Sequence, residues 1–339
     1  MKIKELTSVL EEIAPLHFQE NYDNSGLLVG SSNDEINKAL ICLDCTEEVI
    51  EEAIKENCDI IIAHHPIVFK GIKKLNGKNY VERTIIKAIK NNIAIYAIHT
   101  NLDNIAGGVN SKFASKLGLI NTKILSPKKE FIKKLSIFTP LNSASMLREQ
   151  LWLAGAGSIG NYENCSFNTT GIGTFKGNQL SNPSTGKKGE LHTEEEIKIE
   201  VTFPFNRQSQ VISAMYNYHP YEEVAYEIST LDNYHQNIGS GMIGELNEAM
   251  DTLDFFKHLK QSMNLKTFKH TSIHTKKIKK VALCGGSGSF LIKHAKEAGA
   301  DIFITSDIKY HDFFDAENDI ILADIGHYES EQYTKELLD

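Results

Sequence analysis

The sequence lacks the features that would mark a membrane, secreted or strongly basic protein. No stretch of its 339 residues approaches the ~20 consecutive apolar residues of a membrane span, so we expect no membrane partner. Residues 1–15 form an amphipathic helix pattern without the apolar core of a signal peptide, which predicts a cytoplasmic protein. The net charge of −8 makes a nucleic-acid partner unfavoured, although a local basic patch remains compatible with it.

Cysteine frameworks and phosphate-binding glycine motifs are missing as well. The five cysteines are an odd number without regular spacing, which excludes a fold stapled by disulfides. Cys42 and Cys45 are formally a CxxC pair, but they end an apolar run, whereas a thioredoxin-type pair opens a helix; buried thiols are therefore favoured. The glycines of residues 285–288 fit neither phosphate-loop spacing, so we predict a tight strand-to-helix turn there.

Two parts of the chain show the alternation of strands and helices that is typical of parallel sheets. Residues 38–65 and 279–307 share the order strand, helix and Asp-led strand, and each is followed by a further strand ending in a histidine and a carboxylate. We interpret this as an internal duplication. The predicted fold class is α/β, with two duplicated halves (1–128 and 238–339) that share one metal cleft at their strand ends.

The middle of the chain has a different texture. Residues 129–237 predict the order strand, helix, strand, strand, helix, strand, with a loop rich in Gly, Ser and Asn at 177–189. This order is typical of an α+β ferredoxin-like module. Because domains are best tolerated as insertions at surface loops, we expect 129–237 to be one inserted domain.

Histidines and carboxylates follow the predicted ends of three strands. Parallel strands meet at their carboxyl ends, so these side chains are expected to lie together. Imidazole and carboxylate ligands suit Zn, Fe, Mn or Ni, and the set is too large for one catalytic zinc but suits two ions sharing a bridge. The sequence therefore predicts a site for two divalent transition-metal ions. The histidines and carboxylates at these strand ends are His64 and His65, then His99 and Asp103, then His327 and Glu331, the last two being four residues apart on one helix face.

These motifs also resemble a known family. The segments HHP (64–66), HTNLD (99–103) and GHYESE (326–331) resemble the Nif-three-like family, whose bacterial members carry the label GTP cyclohydrolase 1 type 2. Residues 21–27 and 284–289 resemble two further segments of that family, with Tyr22 standing where Trp is usual. The insert, through residues 173–186 and 219–228, resembles the PII- or CutA-like domain of longer members.

The resemblance implies a particular assembly and chemistry. His65 and Asp103 would bind one ion, His64 and His327 the other, and Glu331 would bridge them. The chain would form a hexamer, a trimer of dimers, with the metals facing an internal cavity. A metal-activated water would attack C8 of the guanine ring of GTP, opening the ring and releasing formate. A phosphoester hydrolase and a non-enzymatic metal protein that senses a ligand remain the alternatives.

Four polar residues have expected places around the predicted ligands. His99 is predicted to stand behind the ligands, where it orients a carboxylate or shuttles a proton. Asp23, Asn101 and Asp307 could line the cleft, and Asp307 could instead cap the following helix. A surplus of polar groups favours catalysis over a closed structural site.

Overall fold

A computed structural model describes all 339 residues and divides the chain into two compact units. Unit 1 comprises Met1–Pro127 and Gln236–Asp339, and unit 2 comprises Lys128–His235. Both contain strands and helices, so the α/β class predicted from the sequence is confirmed at this level. None of the helices combines the length and apolar character that crossing a bilayer requires.

The N-terminal part of unit 1 contains a four-stranded sheet in the order β1-β4-β3-β2. Strands β2, β3 and β4 are parallel, and β1 is antiparallel to β4. Helix α2 begins as its sequence predicts, because the Thr46 hydroxyl accepts a hydrogen bond from the amide of Val49. The elements are α1 (Ile3–Ile13), β1 (Gly26–Val29), β2 (Ala39–Cys42), α2 (Glu47–Lys55), β3 (Ile60–Ala63), α3 (Tyr80–Lys90), β4 (Ala94–Ala97), α4 (Thr100–Asp103), α5 (Val109–Lys116) and β5 (Ile120–Lys128).

Unit 2 has one antiparallel four-stranded sheet in the order β7-β8-β6-β9. Two helices cover one face of this sheet, where Leu147 and Val211 pack against Leu135 and Val201. Residues of β7, β8 and the segment 221–225 contribute to the lining of a cavity of about 770 Å³ within this unit. The elements are β6 (Ile132–Pro140), α6 (Ala144–Leu153), β7 (Phe167–Phe175), β8 (His192–Pro204), α7 (Gln208–Tyr218) and β9 (Tyr226–Leu231).

The C-terminal part of unit 1 builds a six-stranded sheet in the order β11-β14-β13-β12-β10-β5, with β12, β13 and β14 parallel. Both faces of these parallel strands are buried, which explains their unbroken apolar runs. The elements are β10 (His235–Asp251), α8 (Thr252–Ser262), β11 (Lys269–His270), β12 (Lys277–Ser287), α9 (Ile292–Glu297), β13 (Ile302–Ser306), β14 (Ile321–Asp324), α10 (His327–Glu331) and α11 (Thr334–Leu338), with short 3-10 turns at 16–18, 205–207, 289–291 and 312–316.

Alternating residues of the parallel strands face two different helical layers. Leu283 and Ile304 pack with α5 and with Phe255 of α8, and Ala282 and Phe303 pack with α9 on the opposite face. Each buried aliphatic side chain of this kind contributes roughly 1.5–3 kcal/mol. This packing fixes the strands, and with them the positions of the residues that follow their carboxyl ends.

Candidate metal centre

The predicted metal ligands all belong to unit 1 and lie at the ends of its elements. His64 and His65 follow β3, Asp103 is the last residue of the one-turn helix α4, and His327 and Glu331 are the first and last residues of α10. The structure brings these side chains together, and His64, His65 and Glu331 alone place three ligand atoms within 4.8 Å of one another. A cluster of imidazoles and carboxylates is therefore present at the predicted strand ends.

Three ligand atoms form a nearly equilateral triangle. His65 Nε2 lies 3.0 Å from Glu331 Oε2, His327 Nε2 lies 3.2 Å from the same oxygen, and the two imidazole nitrogens are 3.3 Å apart. Metal–ligand bonds of ~2.0–2.1 Å at tetrahedral angles put neighbouring ligand atoms roughly 3.3 Å apart. The three atoms thus have the spacing of one face of a tetrahedral site.

A second group surrounds the other oxygen of the same carboxylate. His64 Nε2 lies 3.8 Å from Glu331 Oε1 and 3.6 Å from Asp103 Oδ1. Both His64 Nε2 and Asp103 Oδ1 are buried without a hydrogen-bond partner. Unpaired buried polar atoms cost about 1–3 kcal/mol each, and a cation between them would remove that cost. The donor set therefore fits a divalent ion here as well.

In the structure the side chains pair differently from the ion-by-ion assignment that the resemblance implies. That assignment puts His65 with Asp103 and His64 with His327. In the structure His64 is next to Asp103 and His65 is next to His327, with Glu331 between the two groups. The physical reason is the orientation of the two adjacent imidazoles, which point their Nε2 atoms at different oxygens of one carboxylate. Sequence order alone does not contain this information.

Each of these three imidazoles is oriented through its other nitrogen. The carbonyl oxygen of Ile98 can only accept, so His64 Nδ1, 2.8 Å away, carries the proton and donates. His65 Nδ1 lies 2.8 Å from Asp44 Oδ1, and His327 Nδ1 lies 2.5 Å from Asp307 Oδ2. In metal sites such contacts fix the tautomer and leave Nε2 as the ligand atom.

Asp44 contacts the candidate site but is not among the residues that the sequence singles out. It lies within the CxxC segment, two residues beyond the end of β2, and its carboxylate was not considered as a partner for His65. A signal was available, because β2 is the predicted parallel neighbour of β3 and both strands end at the same edge. Asp307, by contrast, was predicted to line the cleft or cap a helix, and its carboxylate contacts His327.

The electrostatics of the cluster match a site that exchanges protons for cations. Burial would raise the pKa of Glu331, but its imidazole neighbours hold that pKa well below the usual value. Burial lowers the pKa of His65, yet its bonds to two carboxylates raise it to about 10; the contact with Glu331 raises the pKa of His327 to about 9. Burial raises the pKa of Asp103 to about 6. Cations can replace the protons that hold these groups together.

His99 lies beside the cluster and has a partner of its own. Its ring centroid is 5.4 Å from those of both His64 and His65, and its Nδ1 is 2.7 Å from Asp23 Oδ1. The Asp23 side chain is fully buried and also accepts a hydrogen bond from the amide of Thr100. Burial would raise the pKa of Asp23, but its hydrogen bonds, led by that with His99, hold it well below the usual value. Asp23 thus orients His99 from behind.

Asn101 is also buried, and both ends of its amide are used by the backbone. Its Nδ2 donates to the carbonyl of Ala14 at 2.6 Å, and its Oδ1 accepts from the amide of His99 at 2.9 Å. These contacts hold the segment that follows β4 against the N-terminal segment. Asn101 therefore positions His99.

Two glycines in the last residues of β12, Gly285 and Gly286, leave room for the shared carboxylate. Gly286 has a φ of +63°, and a Cβ there would collide with Glu331 Oε1. Its amide donates to Ser330 Oγ at 2.9 Å, while the amide of Gly285 donates to Asn110 Oδ1 at 2.8 Å. The sequence predicts a turn over residues 285–288, but Gly285 and Gly286 still belong to β12, and the chain leaves the strand only after Ser287. The missing side chain at Gly286 allows α10 to approach the backbone closely enough to place Glu331.

Curated relatives cover almost the whole chain. A GTP cyclohydrolase 1 type 2 homolog of Halalkalibacterium halodurans is 40% identical over 321 residues, which cover 94% of this chain and 86% of the relative. A Bacillus subtilis protein of the same name is 37% identical over 335 residues, covering 98% of this chain and 90% of the relative. Both exceed the similarity at which a shared fold is secure.

Solved structures agree with these sequence matches. A Bacillus cereus protein related to NIF3 superposes with a TM-score of 0.87 at 40% identity, covering 100% of this chain and 92% of that chain. A Staphylococcus aureus protein superposes with a TM-score of 0.78 at 31% identity, covering 100% and 90%. The sequence model of the DUF34/NIF3 (NGG1p interacting factor 3) family matches residues 1–339 of this chain. The resemblance seen in the three motifs is confirmed, and the chain belongs to the DUF34/NIF3 family.

Proposed function

We propose that unit 1 holds two divalent transition-metal ions, of Zn, Fe, Mn or Ni, and acts as a metal-dependent hydrolase. The observation that carries this proposal is the pair of buried, unpartnered atoms His64 Nε2 and Asp103 Oδ1 beside the triangle around Glu331 Oε2. Glu331 offers one oxygen to each group, as a bridging carboxylate does. When bound, the two ions would lower the pKa of a water molecule and supply the nucleophile near neutral pH.

The residues around the ligands have separate tasks in this proposal. Asp44 and Asp307 orient His65 and His327, and Asp23 keeps the Nδ1–H of His99 engaged. This leaves His99 Nε2 as the nitrogen that takes a proton from, or returns one to, the reacting groups. His99 is only partly exposed, so a substrate that covers the cluster would also shield this proton transfer from water.

GTP or a related purine nucleotide is the substrate we propose. Relatives at 35–40% identity carry the name GTP cyclohydrolase 1 type 2 homolog. Addition of water at C8 of the guanine ring opens the imidazole, and hydrolysis of the resulting formamide by a second water releases formate. Hydrolysis of a phosphoester at the same cluster is the close alternative, since it needs the same water.

The deciding experiment is a turnover assay with metal-loaded protein. GTP, other nucleotides and simple phosphoesters are supplied to the wild type and to His65→Ala, while formate and phosphate are followed. We expect formate from GTP with the wild type and none with the variant, which loses an imidazole ligand while Asp103 and Glu331 remain. Metal analysis should give close to two ions per wild-type chain and a loss of both in Glu331→Ala. Equal behaviour of wild type and His65→Ala would end the enzymatic proposal.

A ligand-sensing role is the second candidate function, and the cavity of unit 2 favours it. We propose that this unit is a ferredoxin-like module of the PII/CutA kind inserted into the metal-binding domain, and that the chain assembles as a hexamer. The cavity of about 770 Å³ is large enough for a small metabolite. Its lining includes Phe138, Phe175 and Tyr221 together with Lys176 and Glu223. A metabolite that binds unit 2 without any turnover at the metal centre would favour this role.

A further inference from the structure

The segment between β3 and α3 is an unusually long connection. Residues 64–79 form no helix or strand, and plain connections rarely exceed ~12–15 residues. The segment begins with the metal ligands His64 and His65 and is held at both ends. Asn24 Nδ2 donates to the carbonyl of Val68 at 2.6 Å, and Glu82 Oε2 accepts from the amides of Asn76 and Lys78 at 3.0 and 3.1 Å. A long, anchored loop of this kind usually carries function.

This loop concentrates positive charge that nothing in the protein neutralises. Four exposed lysines contribute to the lining of a cavity of about 560 Å³, and none of them takes part in a side-chain ion pair. The one carboxylate of that lining, Glu82, is occupied by backbone amides and the Asn79 side chain. In a chain of net charge −8, such a cluster is a local exception. The four are Lys70, Lys73, Lys74 and Lys78.

Aromatic side chains connect this loop to the metal centre. The ring of Phe69 lies 6.3 Å from that of His99 and 6.2 Å from that of Tyr22, measured between centroids. Phe69 and Tyr22 are 46% and 65% exposed, so their faces are available to a ligand. Exposed aromatic rings bind planar bases through stacking, worth about 1–3 kcal/mol per base.

We propose that the four loop lysines bind the phosphates of a nucleoside polyphosphate whose base lies against Phe69 and Tyr22 beside the metal centre. The inference rests on the hydrolase proposal and adds how the substrate is held. Ammonium groups on long side chains are suited to phosphate oxygens, and here they replace the missing glycine-rich phosphate loop. A mononucleotide is favoured over a nucleic-acid strand because the positive charge is confined to one loop of an acidic protein.

Binding measurements on the full chain test this inference without relying on turnover. GTP, guanosine and inorganic triphosphate are titrated calorimetrically against wild type, against a fourfold loop variant and against a matched control. The loop variant carries Lys70→Gln, Lys73→Gln, Lys74→Gln and Lys78→Gln. The control carries the same substitution at four exposed lysines that form no ion pair, Lys55, Lys90, Lys266 and Lys277.

We expect the loop variant to bind GTP and triphosphate at least about tenfold more weakly than the wild type does, and to bind guanosine with unchanged affinity. The control should bind all three ligands with wild-type affinity. Phe69→Leu should lower the affinity for guanosine and for GTP but leave the affinity for triphosphate unchanged. The loop variant and Phe69→Leu should both keep the wild-type metal content, which would show that the metal cluster is intact. Equal triphosphate affinity in the loop variant and the control overturns the inference, as does tighter binding of a single-stranded oligonucleotide than of GTP.

The two proposals fail separately. If GTP binding depends on the lysines but metal-loaded wild type turns over no nucleotide, the hydrolase proposal falls and the binding site stands. If the loop variant and the control consume GTP with the same KM, the hydrolase proposal is supported and the proposed lysine site for phosphates is contradicted.

Discussion

At the scale of single residues, the cluster depends on side chains that do not themselves reach the proposed ions. The Nδ1 atoms of His64, His65 and His327 are held by Ile98 O, Asp44 and Asp307, so that their Nε2 atoms converge on Glu331. Imidazole rings with both orientation and tautomer fixed lose less entropy when an ion binds. The partners behind these imidazoles would therefore contribute to the affinity for the proposed ions without making a bond to them.

Asp44→Asn should weaken metal binding while leaving the fold intact. The Asp44 side chain is 59% exposed, so its replacement disturbs no core packing. An amide in this place is a weaker acceptor for the His65 Nδ1–H, and changes of this kind cost about 10–100-fold in metal affinity. Competition of the variant against a chelator of known affinity measures this loss.

Asp34→Asn is the matched control, since Asp34 is an exposed carboxylate whose contact is with the amide of Ser31. We expect this control to hold metal as the wild type does. If Asp44→Asn and the control compete equally well against the chelator, His65 does not depend on Asp44 for its orientation.

At the scale of elements, unit 2 contains a histidine that links its sheet to the segment after its second helix. His219 is buried just past α7; its Nε2 donates to the carbonyl of Phe138 in β6 at 2.9 Å, and its Nδ1 accepts from the amide of Tyr221 at 3.1 Å. The contact with Tyr221 requires an unprotonated Nδ1, so the two contacts coexist only in the neutral imidazole. Burial lowers the pKa of His219, against the opposing influence of the Phe138 carbonyl and, less strongly, of Glu196.

Unit 2 should therefore lose stability as the solution becomes mildly acidic. Since the folded-state pKa of His219 lies below the unfolded value of ~6.5, the unfolded chain binds the proton more readily. The stability that the neutral His219 contributes to unit 2 is fully present above that unfolded-state pKa and decreases as the pH falls below it. Trp152, the single tryptophan, lies in α6 of this unit. Its fluorescence in urea titrations at a series of pH values from about 8 to 5 therefore reports the urea concentration at which unit 2 is half unfolded.

His219→Asn removes the titrating group and serves as the comparison. We expect it to cost about 1–3 kcal/mol near neutral pH through the lost hydrogen bonds, and to show a flatter dependence of the midpoint on pH. An equally steep dependence in wild type and variant would assign the acid sensitivity to other groups.

At the scale of the whole molecule, side chains separated by most of the sequence form one cluster within unit 1. His65 and Glu331 are 266 residues apart in sequence, and their side chains are 3.0 Å apart in space. An ion bound between such groups favours the folded state over the unfolded chain, which does not preserve the site. The stability of unit 1 should accordingly depend on metal.

Chelation should lower the melting temperature of the wild type, and added metal should restore it. At a free metal concentration of 100 times Kd, the stabilisation is about 2.7 kcal/mol, or roughly 5–10 °C for a unit of this size. Scanning calorimetry with and without chelator measures the shift. The melting temperature of Glu331→Ala should not change with metal, because the two groups of side chains around Glu331 both lose a carboxylate oxygen. A wild type that melts identically in both conditions would argue against a site in the folded state.

Much of the architecture could be predicted from periodicity and motif position. The strand at Ile60–Ala63 and the helix at Tyr80–Lys90 lie where an unbroken apolar run and a 3.6-residue pattern predict them. The sequence reading did not assign Thr252–Ser262, although Phe255, Phe256 and Leu259 have helical spacing there. The sequence places the domain boundaries at 128/129 and 237/238, and the compact units of the structure change at 127/128 and 235/236.

The sequence by itself determined which residues could form the cluster. Residue type sets the ligand chemistry, and His64, Asp103 and Glu331 all lie beyond the carboxyl ends of parallel strands, where open α/β sheets bind their ligands. Only the tertiary structure decided which imidazole faces which carboxylate oxygen, that Asp44 orients His65, and that Gly286 makes room for Glu331. The physical reason is that such contacts depend on ring orientation and on packing within a few tenths of an ångström, whereas sequence spacing specifies only the element and the face from which a side chain projects.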